Sequence, residues 1–242
     1  MRKIALAVVL FLAPGLAAAA GGGDLMDPRV DVSDEASLQR GAKLFSNYCM
    51  SCHSAEYVRW NSLDEALGVP MEVIEDNLIF SDYEPGDTMN AVMTADDGEE
   101  WLGVAPPDLS LTARARGADW VYTYLNSYYR DPDSRTGWNN LVLENSSMPH
   151  VLWRLQGVPE PEYEDGDEDL EIVGTRIPED HAGVMSEREY EQATRDITNF
   201  MAYMAEPVRE QRQRLGFWVI GFLIIFTAVA YLLKREYWRD VH

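Results

Sequence analysis

Five consecutive residues, Cys49-Met50-Ser51-Cys52-His53, contain both cysteines of this 242-residue chain. Two thiols separated by two residues and followed at once by an imidazole form the attachment signature of a c-type haem. The thiols add across the two haem vinyl groups, and the histidine is delivered to one face of the iron. The spacing therefore predicts one covalent haem c held by Cys49, Cys52 and His53. A redox dithiol would call for a βαβ context, and a zinc site for a second pair of ligands; the sequence presents neither.

An iron bound by His53 on one face needs a ligand on the other if it is to carry electrons. His150, His181, His242 and the methionines are the candidates. Met50 lies inside the attachment loop and Met1 in the N-terminal apolar stretch. Met26 stands near the start of the exported body, while Met201 and Met204 lie on a helical face needed for packing. Met148 and Met185 lead, with Met71, Met89 and Met93 behind them. Met148 precedes Pro149, which disfavours helix at that position, and sits in a Ser146-Ser147-Met148-Pro149 loop well downstream of His53.

These residues need elements to position them. Leu38, Ala42, Phe45 and Tyr48 recur at helical spacing, so a helix is expected from about 34 to 48, running directly into the haem motif with Gly41 and Phe45 on a face suited to close helix contact. Its partner is expected over 186–205, where Ser186 and Glu189 form a capping-box signature and Tyr190, Ala193, Ile197, Phe200, Met201 and Met204 continue a 3.6-residue stripe. A third helix is expected from about 119 to 129, its aromatics serving as core and haem-cavity wall. Strand signals are weak throughout. The acidic stretches 82–100 and 160–171, with their glycines and prolines, read as surface loops or insertions.

Residues 1–20 have the charged start, apolar middle and alanine-rich exit of a secretory signal. Residues 215–233 run for nineteen positions without a charge. As a helix they would span roughly 28 Å, enough to cross a bilayer's hydrocarbon core. The expected organisation is an exported body at 21–207, a basic linker at 208–214, a transmembrane helix at 215–233 and a cytoplasmic tail at 234–242. Arg209, Arg212 and Arg214 before the span balance Lys234, Arg235 and Arg239 after it, so orientation follows from the signal instead. The formal charge of −21 excludes nucleic acid as a partner class and suits encounter with a basic soluble protein.

Longer segments carry a family likeness. They are Arg40 to Ser54 around the haem motif, Ala105-Pro106-Pro107-Asp108-Leu109-Ser110 onward to Arg116, and Met148-Pro149-His150-Val151-Leu152-Trp153. The carboxyl end adds Met185-Ser186, the helix ending Ala205-Glu206-Pro207, and one anchor followed by Lys234-Arg235. In these the chain resembles bacterial cytochrome c1, the haem subunit of the ubiquinol:cytochrome c oxidoreductase or cytochrome bc1 complex.

The resemblance implies a mainly α fold: a class I c-type cytochrome domain with loop insertions, plus one C-terminal transmembrane helix. It implies His53 and Met148 as the two iron ligands and Pro107 at the haem edge. Arg116 would stand beside a haem propionate, with Arg114 as its surface neighbour unless the two exchange roles. Trp120 stands near a position that is often tyrosine in relatives. The implied function is electron transfer from the Rieske iron–sulfur subunit to a soluble c-type cytochrome. Cytochrome b would be the membrane partner, and the haem domain would face the periplasm from the bacterial cytoplasmic membrane. Such a carrier needs no catalytic acid, base or nucleophile. The competing readings are a haem-based ligand sensor, which would leave the distal site open, and a cytochrome subunit anchoring another periplasmic oxidoreductase.

Overall fold

Asp34 starts the first helix by accepting the Ser37 N–H at 3.0 Å, the bond expected of an N-terminal cap. The computed structural model describes residues 25–164 and 172–240. The signal expected at 1–20, residues 165–171 of the second acidic stretch, and His242 lie outside the described residues. In chain order the elements are α1 (Glu35–Tyr48), β1 (Ala55–Arg59), α2 (Asp64–Leu67), α3 (Met71–Leu78), β2 (Thr88–Met89), α4 (Ala95–Leu102), α5 (Thr112–Ala115) and α6 (Ala118–Asn126). There follow β3 (Tyr128–Arg130), β4 (Trp138–Asn140), α7 (Trp153–Gln156), β5 (Glu160–Tyr163), β6 (Ile172–Arg176), α8 (Glu187–Ala205) and α9 (Arg209–Tyr237). The fold is mainly α.

The core is organised by α1 crossing α8. Both helices bury the stripes that their sequences display, Leu38, Ala42 and Phe45 against Ile197, Phe200 and Met201. Phe45 and Phe200 meet with ring centroids 5.5 Å apart. Gly41 permits this approach: a β-carbon there would fall against the Asp196 carbonyl and 2.8 Å from Phe200 Cβ. Beside the crossing, the buried Asp196 carboxylate accepts from Ser37 Oγ at 2.7 Å, Gln192 Nε2 at 2.8 Å, and Arg40 Nε and Nη2 at 2.6 and 3.0 Å. Those donors compensate a charge that would otherwise be costly to bury. Ser186 and Glu189 form the full capping box at the start of α8.

Three departures from the sequence reading have local causes. The third helix ends at Asn126 rather than 129, because Ser127 Oγ and Asn126 Nδ2 donate to the carbonyls of Thr123 and Tyr122, at 2.6 and 2.7 Å, and compete for the helix's last acceptors. Tyr128 and Tyr129 then pair with Asn140 and Asn139 across an antiparallel ladder. The acidic stretch 82–100 is not all loop: Thr94 and Asp97 form a capping box that starts α4, and Gly103 closes it at φ +83°. Glu160 to Tyr163 is likewise a strand paired with β6. The strands are two to five residues long and paired in twos, too short to show alternation in sequence.

Pro207 follows the end of α8, and α9 then runs for 29 residues. It is long and apolar enough to cross a membrane, and none of its residues is buried. The basic segment 209–214 forms its first turns, with Glu206 receiving Arg212 and standing 3.6 Å from Arg114.

Candidate haem site

Cys49 closes α1, donating its N–H to Phe45 O at 2.9 Å. The chain then folds back, and the N–H groups of Cys52 and His53 both donate to Cys49 O, at 3.1 and 2.9 Å. This turn gathers two free thiols and an imidazole at the end of a packed helix. Burial, reinforced by the charge of Cys52, pushes the Cys49 thiol up to about 12. Among the described residues no three His, Cys, Asp or Glu side chains group to hold a metal ion.

The His53 ring is fixed by a backbone group. Its Nδ1 lies 2.7 Å from Pro107 O. A carbonyl only accepts, so Nδ1 carries the hydrogen and Nε2 presents its lone pair, the arrangement that suits a metal-ligating histidine. Burial lowers the His53 pKa, partly offset by the Pro107 carbonyl and the charge of Asp108. The neutral ring that results is the ligating form.

The Pro-Pro-Asp-Leu-Ser segment is in turn tied to the residues that follow the histidine. Asp108 accepts the N–H groups of Glu56 and Ser110, at 2.8 and 2.9 Å. Ser110 Oγ accepts the Tyr57 N–H at 3.1 Å, and Leu109 N–H donates to Ser54 O at 2.8 Å. Sequence reasoning placed Pro107 at the haem edge but missed this clamp. The Asp-Leu-Ser triplet, a pattern prone to turns closed by the aspartate side chain, was the available signal.

Met148 is half-buried against the core. Two residues before it, Ser146 Oγ lies 2.7 Å from Tyr124 OH, to which Tyr128 OH donates at 2.8 Å. Two residues after it, His150 is buried with its ring stacked 4.7 Å from that of Tyr128 and edge-on to Trp138 at 5.1 Å. Burial pushes His150 down to about 4. Gln156 favours its charged form slightly, yet His150 Nε2 and Gln156 Oε1 are both without a well-formed hydrogen bond.

The other candidate ligands sit differently. Met89 is fully buried on β2, opposite Ala55 of β1, and Met201 and Met204 are buried on α8. His181 stands on the surface 3.5 Å from Glu160. Met185 borders a separate cavity with Gln156, Ile177 and Tyr190.

The two arginines are distinguished by their neighbours. Arg114 stands near Glu206, whereas the Arg116 guanidinium lies 5.0 Å over the Trp120 ring. Trp120 in turn stacks 5.0 Å from Tyr124. Among the described residues no carboxylate pairs with Arg116, which leaves its charge available to an anionic group. The structure thus joins His53 to Pro107, and joins Arg116 through Trp120 and Tyr124 to the loop of Met148. This donor set fits haem c: two free thiols, an imidazole with its tautomer fixed, a thioether on a tethered loop and an uncommitted guanidinium.

A helix pair that delivers a Cys-x-x-Cys-His turn, a carbonyl that orients its histidine, and a long apolar terminal helix define a c-type cytochrome equipped for membrane anchorage. Comparison with known proteins narrows the class. The chain matches the Cytochrome C1 family over residues 27–171 and 183–241. It is 48% identical over 247 residues to cytochrome c1 of Allochromatium vinosum, and 42% identical over 244 residues to the ammonia monooxygenase gamma subunit of Nitrosomonas europaea, each covering 100% of both chains. Cytochrome c1 of Blastochloris viridis is 28% identical over 255 residues, covering 86% of this chain and 82% of that one. The chain belongs to the cytochrome c1 family. Its function is electron transfer in the bc1 complex by one covalently bound haem c, and the sensor and other-oxidoreductase readings are not favoured.

Proposed function

We propose that Cys49 and Cys52 would hold the haem by thioether bonds, that His53 Nε2 and Met148 Sδ would ligate its iron, and that Arg116 would neutralise a propionate while Pro107 would border the ring. The bond from His53 Nδ1 to Pro107 O carries this reading, because it gives the histidine the tautomer and orientation that ligation requires. Bound haem supplies a one-electron couple, and a methionine opposite a histidine raises its potential. The chain's own residues orient His53 through the Pro107 carbonyl and tether the loop of Met148 through Ser146 and His150.

The electron arrives from the Rieske iron–sulfur subunit and leaves to a soluble c-type cytochrome. Residues 215–233 within α9 cross the bacterial cytoplasmic membrane beside cytochrome b. Export directed by residues 1–20 leaves the haem domain in the periplasm and residues 234–242 in the cytoplasm. Gentle detergent extraction tests the assignment. Cytochrome b and an iron–sulfur protein should be retained with the chain, and quinol should reduce its haem; recovery with a different catalytic subunit, without cytochrome b, would overturn the reading.

A further inference from the structure

We propose that Tyr124 and Tyr128 are positioning residues for Met148, clamping its loop two residues before and two residues after the ligand. The inference rests on the reading of Met148 as the distal ligand and goes beyond it by naming what holds the thioether in place. A thioether is a neutral donor carried here on a loop, so its occupancy depends on how far the loop is preorganised.

The five-residue stretch Ser146–His150 is gripped at both ends by one pair of tyrosines. On the near side, Tyr128 OH donates to Tyr124 OH at 2.8 Å, and Tyr124 OH and Ser146 Oγ share a hydrogen bond of 2.7 Å in which either hydroxyl can donate. All three residues are buried, so a broken link leaves a polar group without water to replace its partner. On the far side, the His150 and Tyr128 rings lie 4.7 Å apart and within 10° of parallel. Trp138 meets the edge of the same imidazole at 5.1 Å.

The base of the clamp is rigid. Asn140 Nδ2 donates to Tyr124 O at 2.8 Å, and Tyr190 OH on α8 donates to Leu125 O at 2.7 Å. The grip therefore runs from the helix pair that carries the haem motif to the loop of the opposite ligand.

The test uses the full-length holoprotein in detergent. Ser146→Ala, Tyr124→Phe, Tyr128→Phe, the double variant Tyr124→Phe/Ser146→Ala and the control Met148→Leu are compared. The readouts are imidazole affinity of the ferric form, carbon monoxide affinity of the ferrous form, the methionine-to-iron charge-transfer band and the unfolding midpoint. Ser146→Ala and Tyr124→Phe should each tighten imidazole binding by about tenfold, the loss expected for one buried hydrogen bond. The double variant should gain little over either single one, since both remove the same link, and Ser146→Thr should restore wild-type affinity. Tyr128→Phe keeps the stack and should have a smaller effect.

External-ligand affinities that stay at the wild-type value while the unfolding midpoint falls would reduce the tyrosines to ordinary core packing and overturn the proposal. Met148→Leu separates the two layers of the argument. A charge-transfer band that survives in that variant defeats the ligand assignment itself. A band lost there, together with unchanged Ser146→Ala and Tyr124→Phe proteins, defeats the clamp alone.

Discussion

Met148 and His53 are held by different kinds of group, and each makes a separate expectation. Met148→Leu replaces a thioether by a side chain of similar volume, so the core should survive while the potential falls and the ferrous iron binds carbon monoxide. Redox titration and carbon monoxide difference spectra measure both, and a potential equal to that of the parent would remove Met148 from the iron. Asp108 acts at one remove: Asp108→Ala frees the N–H groups of Glu56 and Ser110 and loosens the segment whose carbonyl fixes His53. The holoprotein should lose about 1–3 kcal/mol of stability, with the haem still covalently attached, as denaturant titration and haem-stained gels would show. At this scale the haem motif was legible because side-chain types and spacing carry it. The grip on His53 was not, because a backbone carbonyl makes it. Arg114 and Arg116 were interchangeable in sequence and became distinct only when Glu206, some ninety residues away, was placed beside Arg114.

The α1–α8 crossing is the element on which the haem turn rests, and it depends on a position without a side chain. Gly41→Ala would set a methyl group against the Asp196 carbonyl and Phe200 Cβ. The helices must separate to admit it, at a cost of about 1–3 kcal/mol, and the buried Asp196 would lose geometry with Ser37 and Arg40 at the same time. Chemical denaturation of the holoprotein should show a lowered midpoint with an unchanged slope; a midpoint equal to the parent's would mean that the crossing relaxes without strain. Both helices could be read in advance from their stripes and caps, since each is long enough to display a period. The short elements could not. Whether Tyr128 continues a helix or begins a strand is decided by Ser127 and Asn126 bonding back to the preceding turn and by the distant partner Asn140. The capping box of α4 was visible as Thr94 and Asp97, but the acidity and glycine of the surrounding stretch argued for a loop.

For the whole molecule the question is how a chain of net charge −21 meets its partners. Since α9 buries no residue of its own, a chain ending at Glu206 should fold, take up haem and remain soluble, keeping Arg114 as a partner for Glu206 when Arg212 is lost. A truncated protein exported with the attachment machinery yet recovered without haem would contradict that independence. The same soluble domain permits the charge to be tested. Of the two acidic regions, α4 is packed against the proline segment that holds His53, since a β-carbon at Gly98 would strike Pro106. The hairpin of β5 and β6 instead pairs its Glu160 and Glu162 with Arg176 on its own second strand. Among the described residues of these two regions, the carboxylates of α4 thus lie beside the proline segment, and Asp96, Glu99 and Glu100 can be neutralised while Asp97 continues to cap the helix. If these charges steer a basic cytochrome, Asp96→Asn/Glu99→Gln/Glu100→Gln should slow electron transfer severalfold at low salt. The difference should vanish as ionic strength shortens the screening length towards about 8 Å, and the haem spectrum should not change. Neutralising Glu160 and Glu162 should leave the rate near that of the parent. Stopped-flow oxidation by the organism's own soluble cytochrome across a salt series measures this, and a rate that climbs with salt would mean that the acidic face repels its partner rather than guiding it.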